Sequence, residues 1–175
     1  IYHLYSHERL NFVVPFEKNK FTYQREDILP LFDSLKTRKG SLKYIHIKVY
    51  TSVEGSVDLN QNLQVERATG IVKLLQSQQA DSIATKIESE ENWAGFFSDI
   101  RNTPYKDFKD LSKEEIKEKL KDEKVKADLE PILKNHRKAT IMLLIENKKD
   151  IKAEDTEGMK LVFRQTIQRK NIKEA

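Results

Sequence analysis

The chain has 175 residues, 38% of them hydrophobic and 34% charged, with 32 basic and 28 acidic side chains. That length holds one domain, or one domain with an appendage, with a genuine core beneath extended solvated helices. A net charge of +4 from mixed signs, without the aromatic and glycine motif of an RNA-binding sheet, argues against nucleic acid, and the absence of cysteine excludes disulfides and thiol catalysis.

Leu10 to Phe16 reads as a first strand, with Pro15 placing it at an edge or end. The loop 17–24 follows. Asp27 to Lys36 carries Ile28, Leu31, Phe32 and Leu35 at helical spacing, and Asp27 as cap would put Pro30 in the first turn. Gly40 stops that helix. Tyr44 to Tyr50 alternates, with Ile45, Ile47 and Val49 on one face, and predicts a half-buried second strand. A loop with Gly55 leads to a helix from about Asn60 to Ser77, striped by Leu63, Ile71, Leu74 and Leu75. Ser82 to Glu88 alternates again and predicts a third strand.

Asn92 to Ile100 holds Trp93, Phe96 and Phe97 at helical spacing, either as core fastening this segment to the sheet or as an exposed contact for an envelope protein partner. Ser112 to Glu115 is a capping box opening a charged helix with Ile116 and Leu120 inward. Pro131 marks a break or a new helix. Arg137 to Ile145 is the most hydrophobic run and predicts a central strand. The remainder is polar up to Leu161, Val162 and Phe163, and reads as a terminal helix or a lead into a further domain. The fold class expected is α+β: β-α-β-α-β, a helical insertion, then β, as a four-stranded mixed sheet with helices packed on one face.

Within Tyr50 to Ala68, a strand end passes through a turn glycine into a helix bearing an arginine. Thr51, Gly55, Ser56, Asn60, Leu63, Arg67 and Ala68 fit in register the T-D-x-x-G-S-x-x-x-N-x-x-L-S-x-x-R-A signature, and this stretch resembles OmpA-like peptidoglycan-binding domains. Weaker matches flank it: the segment 15–21 resembles what precedes the family's first helix, and Asn135 to Lys138 resembles its N-R-R-V-E-I ending. The resemblance implies an OmpA-like domain over 10–146, with an unusual helical insertion at about 89–136. It leaves 1–9 as an N-terminal extension and 147–175 as a C-terminal one.

The resemblance also implies a ligand, the diaminopimelate of a peptidoglycan stem peptide, which presents an ammonium and a carboxylate. An arginine fork grips such a carboxylate in bidentate fashion. Arg67 takes that role by resemblance, Asn60 holds the loop, and Thr51 shapes the floor. The family's aspartate falls on Ser52, which cannot neutralise an ammonium. Truncating one partner of a buried charge pair costs about 2–5 kcal/mol. Glu54 and Asp58 lie near enough in sequence to offer replacements, Glu54 only if its carboxylate folds back.

No other constellation competes. His3 and His7 have the i, i+4 spacing of helical metal ligands, but their surroundings lack helix signals, and neither metal nor cofactor is expected. No G-x-S-x-G, H-E-x-x-H or phosphate-binding glycine loop occurs, so no enzyme activity is expected. No apolar run reaches the roughly 20 residues that cross a bilayer. Because the chain begins at Ile1, any signal peptide or anchor is expected outside this fragment. The expected function is a non-catalytic envelope module, periplasmic and associated with the outer membrane through other parts of a larger protein. Its peptidoglycan binding is weakened or altered and its role is that of scaffold or adaptor. The alternative is a working anchor in which Glu54 or Asp58 replaces the acid.

Overall fold

The computed structural model describes residues 1–173. Four strands form one mixed sheet: β1 (Tyr2–Pro15), β2 (Ser41–Thr51), β3 (Ala84–Glu91) and β4 (Lys138–Ile151), in the order β1-β4-β2-β3. β4 pairs antiparallel with both β1 and β2, while β2 and β3 run parallel. A parallel pair needs a crossover, and α2 (Val57–Gln76) supplies it. The expected α+β sheet with helices on one face is what forms. α1 (Arg25–Lys36) and α2 cover the face made by Ile45, Ile47, Val49, Ile141, Leu143 and Ile145, and bury Ile28, Leu31, Ala68, Ile71 and Leu75 against it.

Several elements differ from the sequence expectation. The first strand does not start at Leu10. Residues 2–9 are its outer half, paired with β4 as far as Tyr2 opposite Ile151, because the polar ends of both strands match each other across the ladder. The histidines there sit on a strand: His3 meets Asp150 at 2.9 Å and His7 meets Glu146 at 3.2 Å. Gln24 stands at the N-cap position of α1 without a side-chain capping bond, and Pro30 lies inside the helix rather than in its first turn. α2 begins at Val57 after the Ser56 cap, whose hydroxyl accepts from the Leu59 amide, so Asn60 is an interior residue and not the cap.

The insertion is a small helical layer with its own core. It comprises α3 (Trp93–Asp99), two short 3-10 turns, α4 (Lys113–Lys119) and α5 (Glu123–His136). The Ser112 capping box is formed. Pro131 does not break α5. Both Pro131 and Ala127, whose carbonyl loses its amide donor, lie on the exposed face, while Leu129 and Leu133 bury the opposite one. Trp93, Phe96 and Ile100 pack with Ile116, Leu120, Leu129, Leu133 and Val53. Of the two alternatives for Trp93, Phe96 and Phe97, the core fastening the insertion is the one formed, and the exposed contact for a protein partner is not. Phe96 is fully buried, Trp93 nearly so, and Phe97 packs against them.

α6 (Thr156–Lys173) lies along the outer edge of β1. The Gln165 amide bonds both main-chain groups of Tyr5, accepting from its N–H at 3.0 Å and donating to its carbonyl at 2.7 Å. Gln79 does the same for Leu42 of β2, at 3.0 and 2.9 Å, beyond the point where β3 begins to pair. Among the described residues no helix is long and apolar enough to cross a membrane.

Candidate functional site

The loop 52–56 sits at the carboxyl end of β2 and the start of α2. Gly55 holds φ +79°, a left-handed conformation open to glycine, and turns the chain into the helix. α2 presents polar side chains at three successive turns on the buried side, Asn60, Gln64 and Arg67, and each is used to fix neighbouring main chain or side chain. Asn60 Nδ2 donates to the Glu54 carbonyl at 2.9 Å, the Ser52 carbonyl at 3.3 Å and Glu91 Oε1 at 2.6 Å. Gln64 donates to Thr51 Oγ1 at 3.0 Å.

Arg67 is only 1% exposed. Its guanidinium donates to three carbonyls: Lys20 at 2.9 Å, Glu17 at 3.3 Å and Tyr50 at 3.4 Å. It also stacks 4.6 Å from the Phe16 ring. In this way Arg67 ties the loop 17–20 to the end of β2. No carboxylate pairs with it among the described residues. Burial, reinforced by the positive charge of Arg137, lowers its pKa to about 10.

Glu54 is nearly buried and folds back, so that Ser52 Oγ donates to its Oε1 at 3.1 Å. Lys18 Nζ reaches its other oxygen at 2.6 Å, and Arg137 Nη2 donates to Oε1 at 2.7 Å. Arg137 in turn holds Glu130 in bidentate fashion at 2.8 and 2.7 Å. Burial alone would raise the Glu54 carboxyl; the hydrogen bonds from Lys18 and Arg137 outweigh it and hold the group below its usual range.

The second wall comes from the insertion. Lys117 of α4 spans the gap, donating to the Val53 carbonyl at 2.9 Å, the Gly55 carbonyl at 2.7 Å and Glu91 Oε1 at 2.7 Å. Between the walls lies a pocket of about 530 Å³. Thr51, Ser52, Glu54, Asn60 and Arg67 all line it. Asp58 does not: it stands exposed on the first turn of α2, outside the lining. Sequence reasoning missed Lys18, Glu91, Lys117 and Gln64, and took Arg137 only as part of a strand-start match. The spacing of Asn60, Gln64 and Arg67 along one helical face was the available signal for Gln64. The others arrive from distant segments and leave no local mark.

No family profile matches the chain. No curated protein matches it either. Among solved structures, the chain is similar to the cell wall anchor of the T6SS from Pseudomonas aeruginosa, with 13% identity and a TM-score of 0.46, over 81% of this chain and 87% of that one.

Proposed function

We propose that this chain is a non-catalytic, OmpA-like module of the cell envelope whose peptidoglycan-binding pocket is retained with altered chemistry, and that it serves as a scaffold or adaptor in a larger protein. The reading rests on the signature residues from Thr51 to Ala68 together with one observation. Both charged groups that would hold diaminopimelate are engaged within the protein: Arg67 by three main-chain carbonyls, Glu54 by Lys18 and Arg137. A ligand ammonium has to displace Lys18 before it meets a free carboxylate, and a ligand carboxylate meets an arginine already fixed in place. The outer-membrane-associated, periplasmic location belongs to the same reading.

Sedimentation with purified peptidoglycan tests it. The wild-type chain is expected to show no saturable micromolar binding, and Ser52→Asp, which adds a carboxylate, or Lys18→Met, which releases Glu54 Oε2, to gain it. Saturable wild-type binding abolished by Arg67→Ala, with that variant folded by circular dichroism, overturns the proposal. The Ser52–Glu54 contact at 3.1 Å favours a second reading, in which Glu54 performs the missing aspartate's task. That reading expects wild-type binding that Glu54→Gln removes.

A further inference from the structure

We propose that Glu91 and the motif loop build a seat for a primary ammonium group beside the pocket, and that Lys117 of the insertion fills it as a tethered ligand. The insertion thereby closes the pocket, from within the chain, to the chemical group this seat takes. The inference rests on the reading above, that this pocket is the module's functional site, and adds what occupies it.

The coordination of Lys117 is the first observation. An ammonium has three N–H donors. Lys117 Nζ meets three oxygens, the Gly55 carbonyl at 2.7 Å, Glu91 Oε1 at 2.7 Å and the Val53 carbonyl at 2.9 Å. The Trp93 ring closes a further side, its centroid 5.8 Å away. The side chains of Lys117 and Glu91 are 17% and 14% exposed, so water competes little for the contact. The neighbouring lysines behave differently. Lys121 and Lys126 pair with acids three residues away in their own segment, whereas Lys117 crosses from the insertion to the motif loop and β3.

The second observation is that other groups hold the seat in place. Glu91 Oε1 accepts from Asn60 Nδ2 at 2.6 Å, and its Oε2 accepts from the Trp93 indole at 2.9 Å. Asn60 also donates to the Glu54 carbonyl, which fixes the loop between Val53 and Gly55. The acceptors therefore stay aimed at one point when the lysine is taken away. Two carbonyls beside the carboxylate select for N–H donors and not for charge alone. A quaternary ammonium satisfies the ring and the carboxylate but leaves both carbonyls unpaired.

The third observation is where Lys117 comes from. It stands on α4, whose buried Ile116 belongs to the insertion's core and not to the sheet's. Exchanging Lys117 for a free ammonium unlatches α4 from the motif loop and leaves the sheet's core intact. The seat is also separate from Ser52 and Glu54, since the Glu54 carboxylate is taken by Lys18 and Arg137.

The test is chemical rescue. Lys117→Ala deletes a propylammonium group, so n-propylammonium is the probe, with tetramethylammonium at equal ionic strength for comparison. Fluorescence of Trp93, the single tryptophan, reports both binding and the urea midpoint. Lys117→Ala is expected to respond saturably to n-propylammonium in the millimolar range, within reach of so small a fragment, and its midpoint to rise with the probe. Tetramethylammonium binds about tenfold more weakly or worse, and adding Glu91→Gln weakens n-propylammonium by about tenfold or more, the scale of losing a charged contact. Wild type is unresponsive, and so is Lys113→Ala, whose exposed ammonium lies 5.3 Å from the same ring without a bond to the seat. The chain has no cysteine, so Lys117→Cys can be alkylated at one position in urea and refolded. 2-Bromoethylamine restores an ammonium there and should recover the wild-type midpoint; iodoacetamide leaves a neutral amide and should not. Where Lys117→Ala does not fold, this pair carries the test. No saturable response in folded Lys117→Ala overturns the inference. So does an equal response to tetramethylammonium, a response that survives Glu91→Gln, or equal midpoints for the two alkylated forms. An unrescued Lys117→Ala leaves the sedimentation result standing. Saturable wild-type binding to peptidoglycan overturns the earlier reading and leaves the seat to its own titration.

Discussion

Replacing Glu54 with glutamine removes a charge from the joint between the motif loop, the loop 17–24 and the start of β4, while preserving its volume. Breaking a buried pair costs about 3–5 kcal/mol when the surviving ion is left bare. Here Arg137 keeps both oxygens of Glu130, and Lys18, about one-third exposed, returns to water. The expected loss is therefore smaller, about 2–3 kcal/mol at neutral pH. For a chain of this size that lowers Tm by roughly 4–12 °C. Urea denaturation followed by the single tryptophan, Trp93, measures it directly. The pH dependence supplies the sharper test. The Glu54 pKa is lowered from 4.5 in the folded state, so its stabilising contribution is full above about 4.5 and is lost as pH falls through the lower folded value. The gap between wild type and Glu54→Gln should be constant near neutrality and close in acid. A variant within about 0.5 kcal/mol of wild type at neutral pH, or a gap that persists in strong acid, refutes the view that this carboxylate's charge holds the joint.

Phe96→Ala empties the centre of the insertion's core and should cost about 3–5 kcal/mol. Because that core is separate from the sheet's, hydrogen exchange should accelerate across 93–136 while β2 and β4 stay protected, and equal loss in both regions contradicts two independent cores. Gly55→Ala meets no atom closer than 3.7 Å, so its cost is conformational, about 1–2 kcal/mol from the positive φ. Gly55→Asn should recover part of the loss in the same denaturation assay, and a cost for asparagine as large as for alanine excludes the left-handed backbone as its source.

The sheet was legible because its signal is local. The alternation of Ile45, Ile47 and Val49 and the run at 139–145 mark strands whose core face is apolar, and Ile45, Ile47, Val49, Ala139, Ile141, Leu143 and Ile145 are buried on it. What stayed hidden depends on pairing at a distance. The outer half of β1 carries no hydrophobic alternation and is a strand only because β4 lies beside it. Pro131 looks like a stop to any local rule, yet tertiary burial of Leu129 and Leu133 carries the helix through it. At the site, the register from Thr51 to Ala68 located the loop, the helix and the residues on the pocket wall. It did not reveal the engagement of Arg67 and Glu54, since their partners at 17–20 and at Arg137 are tens of residues away and carry no motif. Asp58 lies outside the pocket lining because its position in the first turn of α2 turns it outward.

The two glutamines that bond main chain at the sheet margins have a consequence for association. An outermost strand offers a row of free amide and carbonyl groups, a template for adding a strand from another chain. At Tyr5 and at Leu42 a primary amide occupies both groups and acts as a single rung with no chain behind it. The ladder is terminated there without presenting a new edge in turn. The rung at Tyr5 belongs to α6, so whatever detaches that helix also reopens this stretch of β1 to strand addition by a neighbouring molecule.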